Sequence, residues 1–253
     1  MAKRKKIIVG NWKMNPSTLE EAKILFSKVK RASVKFRSVE TVLCPPFVYL
    51  GAFARPKGVK LGAQNVFWEI GGKFTGEVSP VMLKSLGCSY VIVGHSERRA
   101  LGETDEIVSK KIKAVLNAGI RVILCVGESE RDQNGAYFEF LKNQIKHSLF
   151  GTDRSSLGNL LIAYEPIWAV GKSFKESMQP SDIHETVIFI RKVLSDMYDQ
   201  ATAASIPVIY GGSVESENIV KVFLDGGVGG VLVGHKSLIS DEFISMLKSA
   251  DGI

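Results

Sequence analysis

Cysteine is scarce in this chain and nowhere clustered: Cys44, Cys88 and Cys125 are an odd number at wide spacing, each inside an apolar run. That pattern offers neither a disulfide framework nor zinc-ligand spacing, so the thiols are expected reduced and buried and no metal site is expected. Long hydrophobic runs are missing too. No stretch approaches the roughly 18–20 apolar residues of a membrane span. The basic segment Met1–Lys6 lacks the apolar core of a secretory signal, so a cytoplasmic location without a membrane partner is expected. Absent as well is the G-x-G-x-x-G turn that opens a doubly wound dinucleotide-binding sheet; the first strand-like run ends Val9-Gly10-Asn11-Trp12-Lys13 instead. No Pro/Ser tract or low-complexity segment divides the chain, and a single domain over residues 1–253 is expected.

What is present has ordinary globular proportions: 253 residues, 45% hydrophobic, 23% charged, with a net charge of +7. Apart from Lys3-Arg4-Lys5-Lys6, which reads as a solvated terminus, the lysines and arginines are scattered. Scattered lysines and arginines do not favour a nucleic-acid partner, but charge alone does not choose between one and the anionic, phosphorylated metabolites that a basic protein steers toward itself.

Eight short apolar runs recur at 5–10, 39–44, 59–63, 90–94, 121–126, 160–164, 206–210 and 229–233. Most are continuous in Val, Ile and Leu rather than alternating, the habit of strands buried on both faces in parallel sheets. Between them lie helix-like stretches. Ser17-Thr18-Leu19-Glu20 reads as a helix start, and Thr104–Leu116, Phe138–Leu149, Ser181–Tyr198 and Glu215–Leu224 carry apolar residues at three- and four-residue spacing. Eight βα units in 253 residues is about 32 per unit, close to the roughly 250 residues of a (β/α)8 barrel, and that is the expected fold.

Sites in such barrels are built from the loops after the C-terminal ends of the strands. The first run delivers Asn11 and Lys13 there, the fourth His95, Ser96 and Glu97, the sixth Glu165, the seventh Gly211-Gly212-Ser213 and the eighth Gly234-His235. Glu165 sits where Pro166 stops the strand, ahead of a greasy Ile167-Trp168 and a loop-like continuation able to swing. Taken singly, each of these residues has a bland reading, a turn asparagine or a solvated lysine. Together, polar residues at five strand ends converge only if the barrel closes. The glycines after the seventh and eighth runs let backbone approach an anion closely, a recurrent use of this part of the fold.

The chain resembles the triosephosphate isomerase family over nearly its whole length. The resemblance is carried by Gly10–Asn15 (GNWKMN), Gly62–Val66 (GAQNV), Phe74–Glu77 (FTGE), Tyr90–Arg99 (YVIVGHSERR), Cys125–Glu128 (CVGE), Ala163–Trp168 (AYEPIW) and Tyr210–Val214 (YGGSV). It implies interconversion of dihydroxyacetone phosphate and glyceraldehyde 3-phosphate in glycolysis and gluconeogenesis, without metal or organic cofactor. This family is a standard illustration of a glutamate base beside a neutral histidine electrophile and a closing loop, and the resemblance assigns those roles to Glu165 and His95. It assigns the fixed charge to Lys13 and an amide donor to Asn11. Glu97 orders the lysine, shuttles a proton or is structural. Gly171, Ser213, Gly234 and His235 would hold the phosphate through backbone N–H groups, and residues 167–179 would form a mobile lid. The aromatic loop 64–77, with Phe67, Trp68, Ile70 and Phe74, would insert into a second subunit, Thr75 reaching toward the neighbour's Asn11 and His95.

Two departures from the family pattern stand out. The lid usually reads Gly-Thr-Gly-Lys; here Gly171 is followed by Lys172–Gln179, about two residues longer and without the second glycine. After the eighth run the usual Gly-Gly-Ala-Ser becomes Gly234-His235-Lys236-Ser237, which puts side chains where backbone approaches phosphate. A barrel that binds sugar phosphates or a protein without turnover is the rival reading, but it has no use for a positioned base. An aldolase-like barrel is a further rival, and it would need a Schiff-base lysine that the sixth strand end lacks.

Overall fold

In the computed structural model, which describes residues 5–132, 134–169 and 178–253, eight parallel strands close into a barrel in chain order. They are β1 Lys6–Asn11, β2 Val39–Cys44, β3 Lys60–Ala63, β4 Cys88–Val93, β5 Arg121–Val126, β6 Leu160–Tyr164, β7 Val208–Tyr210 and β8 Gly230–Val233. Closure is made by β1 against β8, Ile7 opposite Gly230 through Gly10 opposite Val233. The helices are α1 Leu19–Ser33, α2 Phe47–Leu50, α3 Pro80–Ser85, α4 Ser96–Ala100, α5 Asp105–Asn117, α6 Ala136–Ser148, α7 Pro180–Met197, α8 Gln200–Ser205, α9 Ile219–Leu224 and α10 Ser240–Asp251. Among the described residues, no helix is long and apolar enough to cross a membrane.

The strands are continuous in apolar residues because they separate two apolar compartments. One residue in two, including Ile7, Val9, Ile92, Cys125, Leu161 and Ala163, fills the barrel interior. The alternate residues, such as Ile8, Val91, Leu124 and Ile162, join the layer between strands and helices. That period of two also aims the strand ends. Asn11 follows Ile7 and Val9 in phase, Glu165 follows Leu161 and Ala163, and Gly234 follows Leu232, so all three continue the interior face into the barrel's C-terminal mouth.

Local rules place the helices. Thr18 caps α1 in a reciprocal box with Glu21, one residue beyond the tetrapeptide that reads as its start. Thr104 caps α5, and Pro180 opens α7. The helical spacing from Glu215 is realised later: α9 begins at Ile219, and Glu215–Asn218 is a turn in which the Glu215 N–H donates to Asn218 Oδ1. The three cysteines are free and buried.

Candidate active site

A cavity of about 300 Å³ opens at the C-terminal mouth of the barrel. Asn11, Lys13, His95, Ser96, Glu165, Ser213, Gly234 and His235 line it, with Gly211, Gly212, Glu215 and Lys236. Of the expected site residues, Glu97 stays off the lining and pairs with Lys13, while Gly171 lies outside the described residues, as do lid positions 170–177.

Glu165 arrives on β6 and is 3% exposed. Its backbone N–H donates to Val126 O at 2.8 Å, which extends the β5–β6 pairing one residue past the strand. Its carboxylate accepts the Ser96 N–H at Oε2, 3.3 Å away. Gly211 on the next stave has to be glycine: a Cβ there would lie 2.7 Å from Glu165 Cγ, so the small residue gives the carboxylate its space.

His95 would fall out of phase with the interior face if β4 ran straight. Gly94, at φ +71, turns the backbone through the left-handed region and resets the direction. His95 is then the N-cap of α4, its Nδ1 accepting the Glu97 N–H at 3.2 Å. An imidazole nitrogen that accepts carries no proton, so in the neutral ring the proton sits on Nε2. Nε2 lies 3.3 Å from Glu165 Oε1. The pair is thus a carboxylate beside an N–H, both largely shielded from water.

Lys13 is held more tightly than a surface lysine. Its φ of 54 puts a non-glycine residue in the left-handed region, which costs about 1–2 kcal/mol. Gln64 offsets that cost by donating from Nε2 to both Lys13 O and Cys44 O, each at 2.8 Å. The Lys13 N–H donates to Asn11 Oδ1 at 3.0 Å, which occupies the amide oxygen and leaves the Asn11 NH2 as the group available to the cavity. Lys13 Nζ pairs with Glu97 Oε1 at 2.6 Å. Its stem passes Gly234, where a Cβ would meet Lys13 Cε at 3.2 Å.

The β7 and β8 ends are braced separately. Ser213 Oγ donates to Ala169 O, and Asn218 Nδ2 donates to Ser213 O. His235–Leu238 forms a 3-10 turn tied down by Ser237, whose Oγ donates to Gly234 O at 2.7 Å. After β5, Glu128 accepts at Oε1 from Tyr164 Oη (2.8 Å) and Trp168 Nε1 (2.9 Å), anchoring the short turn Ile167–Ala169 that leads out of β6. Residue type alone does not disclose the roles of Gln64 and Glu128, because each acts by supporting another residue.

A sequence model of the family described as Triosephosphate isomerase matches residues 6–250. Among curated relatives, a triosephosphate isomerase from Dehalococcoides mccartyi is 43% identical over 252 residues, 98% of this chain and 97% of its own. One from Dictyoglomus thermophilum is 41% identical over 97% of this chain and 100% of its own. One from Natranaerobius thermophilus is 42% identical over 96% and 95%. These matches run the length of the barrel just described, from β1 to the last helix, and on them the chain belongs to the triosephosphate isomerase family.

Proposed function

We infer that this chain interconverts dihydroxyacetone phosphate and glyceraldehyde 3-phosphate through an enediolate. The observation that carries the reading is the approach of Glu165 Oε1 to His95 Nε2 within a cavity that Lys13 and Asn11 share. Glu165 removes the proton from the carbon beside the substrate carbonyl and returns it to the neighbouring carbon. His95 donates its Nε2 proton toward the oxygens on which charge develops, and the Asn11 amide and Lys13 ammonium stabilise that charge. Glu97 positions Lys13, consistent with its place outside the cavity lining. Backbone N–H groups near Ser213, Gly234 and His235, with Gly171 from the lid, hold the phosphate. Residues 167–179 close over the substrate and remove water from Glu165, which strengthens it as a base. No metal or organic cofactor takes part. The reaction belongs to the cytoplasm, with no nucleic-acid or membrane partner, and the working form is a homodimer assembled through residues 64–77.

A coupled assay with glyceraldehyde 3-phosphate tests the reading. Wild-type protein turns over, Glu165→Ala loses at least about a thousandfold in kcat, and Lys13→Ala raises KM and lowers kcat while remaining folded. Wild-type protein without turnover, or Lys13→Ala with wild-type kinetics, overturns it.

A further inference from the structure

We propose that Lys236 and Glu215 form a charge-balancing pair that sets the affinity of this site for the substrate's phosphate, Lys236 cancelling a carboxylate that would otherwise repel the dianion. The proposal rests on the phosphate-site reading above. Both residues line the cavity, on neighbouring staves: Glu215 in the loop after β7 and Lys236 in the 3-10 turn after β8. Lys236 Nζ lies 3.2 Å from Glu215 Oε1.

The charge count explains why the pair matters. Among the described residues the lining carries two ammonium groups, Lys13 and Lys236, and two carboxylates, Glu165 and Glu215, so with neutral imidazoles it is balanced. Glu165 is required by the chemistry and Lys13 is already paired with Glu97. Without Lys236 the lining would face a phosphate dianion with an excess negative charge, in a partly enclosed space where Coulomb terms exceed their value in water.

The backbone beneath both partners is braced. The Glu215 N–H is fixed by Asn218 Oδ1 at 2.9 Å, and the next residue is clamped by Glu242, which accepts the Ser216 N–H at 2.8 Å and the Ser216 hydroxyl at 3.1 Å. On the other side, Ser237 Oγ donates to Gly234 O and reaches Asn11 O, so the turn carrying Lys236 is tied to β1. Both side chains keep part of their surface in water, and an ion pair open to solvent contributes little to stability. Removing this one is therefore expected to change ligand affinity and leave folding intact.

The experiment measures KM, kcat and inhibition by inorganic phosphate at low ionic strength for wild type, Lys236→Met, Lys236→Arg, Glu215→Gln and the double variant Glu215→Gln/Lys236→Met. Lys236→Met is expected to raise KM and the phosphate inhibition constant about tenfold with kcat within twofold, while Lys236→Arg stays near wild type. The double variant is expected to recover most of the loss, because the uncompensated carboxylate is gone. All variants should melt within about two degrees of wild type. An unchanged KM in Lys236→Met overturns the proposal, and so does a rise that Glu215→Gln fails to reverse. Wild-type protein without turnover or phosphate inhibition would instead overturn the isomerase reading itself.

Discussion

Lys13 shows how much support one charged side chain can require. Its left-handed backbone persists because Gln64 donates to two carbonyls at once, one of them Lys13's own, while Asn11 accepts its N–H. Both bonds are half-buried, so cutting them leaves carbonyls short of partners, at a cost of about 1–3 kcal/mol. Gln64→Leu is therefore expected to lower stability by that amount in urea unfolding. It should cost roughly 10–100-fold in kcat/KM, because a small displacement of a positioned charge weighs heavily on a barrier. A variant with kcat/KM within twofold of wild type would show that Lys13 holds its place without this brace.

At the scale of strands and loops, the fold is largely legible in the sequence, and for a physical reason. A strand buried on both faces reads as an unbroken apolar run, and the eight observed strands fall within two residues of the expected ones at every end. The period of two then carries Asn11, Glu165 and Gly234 into the mouth. His95 escapes that rule because Gly94 resets the phase. Glu215 escaped for a different reason: it reads as the start of a helical repeat, whereas Asn218 draws it into a turn that faces the cavity. Pairings such as Glu215 with Lys236 depend on which staves become neighbours, which spacing along the chain does not encode.

The strands also carry a pH dependence. Cys44 on β2 and Cys125 on β5 face the barrel interior, and Cys88 opens β4. Burial raises all three thiols: Cys88 from 9.0 up to about 12, Cys44 higher still with a smaller contribution from Cys88, and Cys125 well above its ordinary value with Glu165 as the second cause. A raised folded value means that the native state keeps its protons while unfolded thiols lose theirs. The contribution is complete below pH 9 and is lost as pH rises toward the folded values. Each thiol then weakens the fold by about 1.4 kcal/mol per pH unit, so together they remove roughly 4 kcal/mol by pH 10. Urea midpoints under reducing conditions should fall between pH 8 and pH 10. Cys88→Ala should show a shallower fall than wild type, and identical slopes would contradict the thiol origin.

For the whole molecule, the distribution of exposed apolar side chains is lopsided. Met14 after β1 is 93% exposed, Val48 after β2 82%, Ile70 after β3 75% and Leu101 after β4 77%. These belong to four consecutive staves, whereas most other exposed large apolar residues are spread over the helix layer. Within the loop, Phe67 packs on Trp68 and Phe74 at 4.0 and 4.7 Å, and Lys110 lies over Trp68, so part of its aromatic surface is already satisfied. Ile70 and half of Phe74 remain in water. Apolar side chains exposed on neighbouring staves favour self-association, since a second copy buries them without new sequence. Two of these staves, β1 and β4, also end in Asn11, Lys13 and His95, so association and activity should be coupled. Sedimentation at micromolar concentration is expected to give about 55 kDa, twice the 27.7 kDa chain. Phe74→Asp should shift the mass toward the single chain and lower kcat by an order of magnitude or more, with helical circular dichroism retained. A wild-type protein that sediments as one chain at every concentration would mean that this apolar surface serves something other than a second copy of itself.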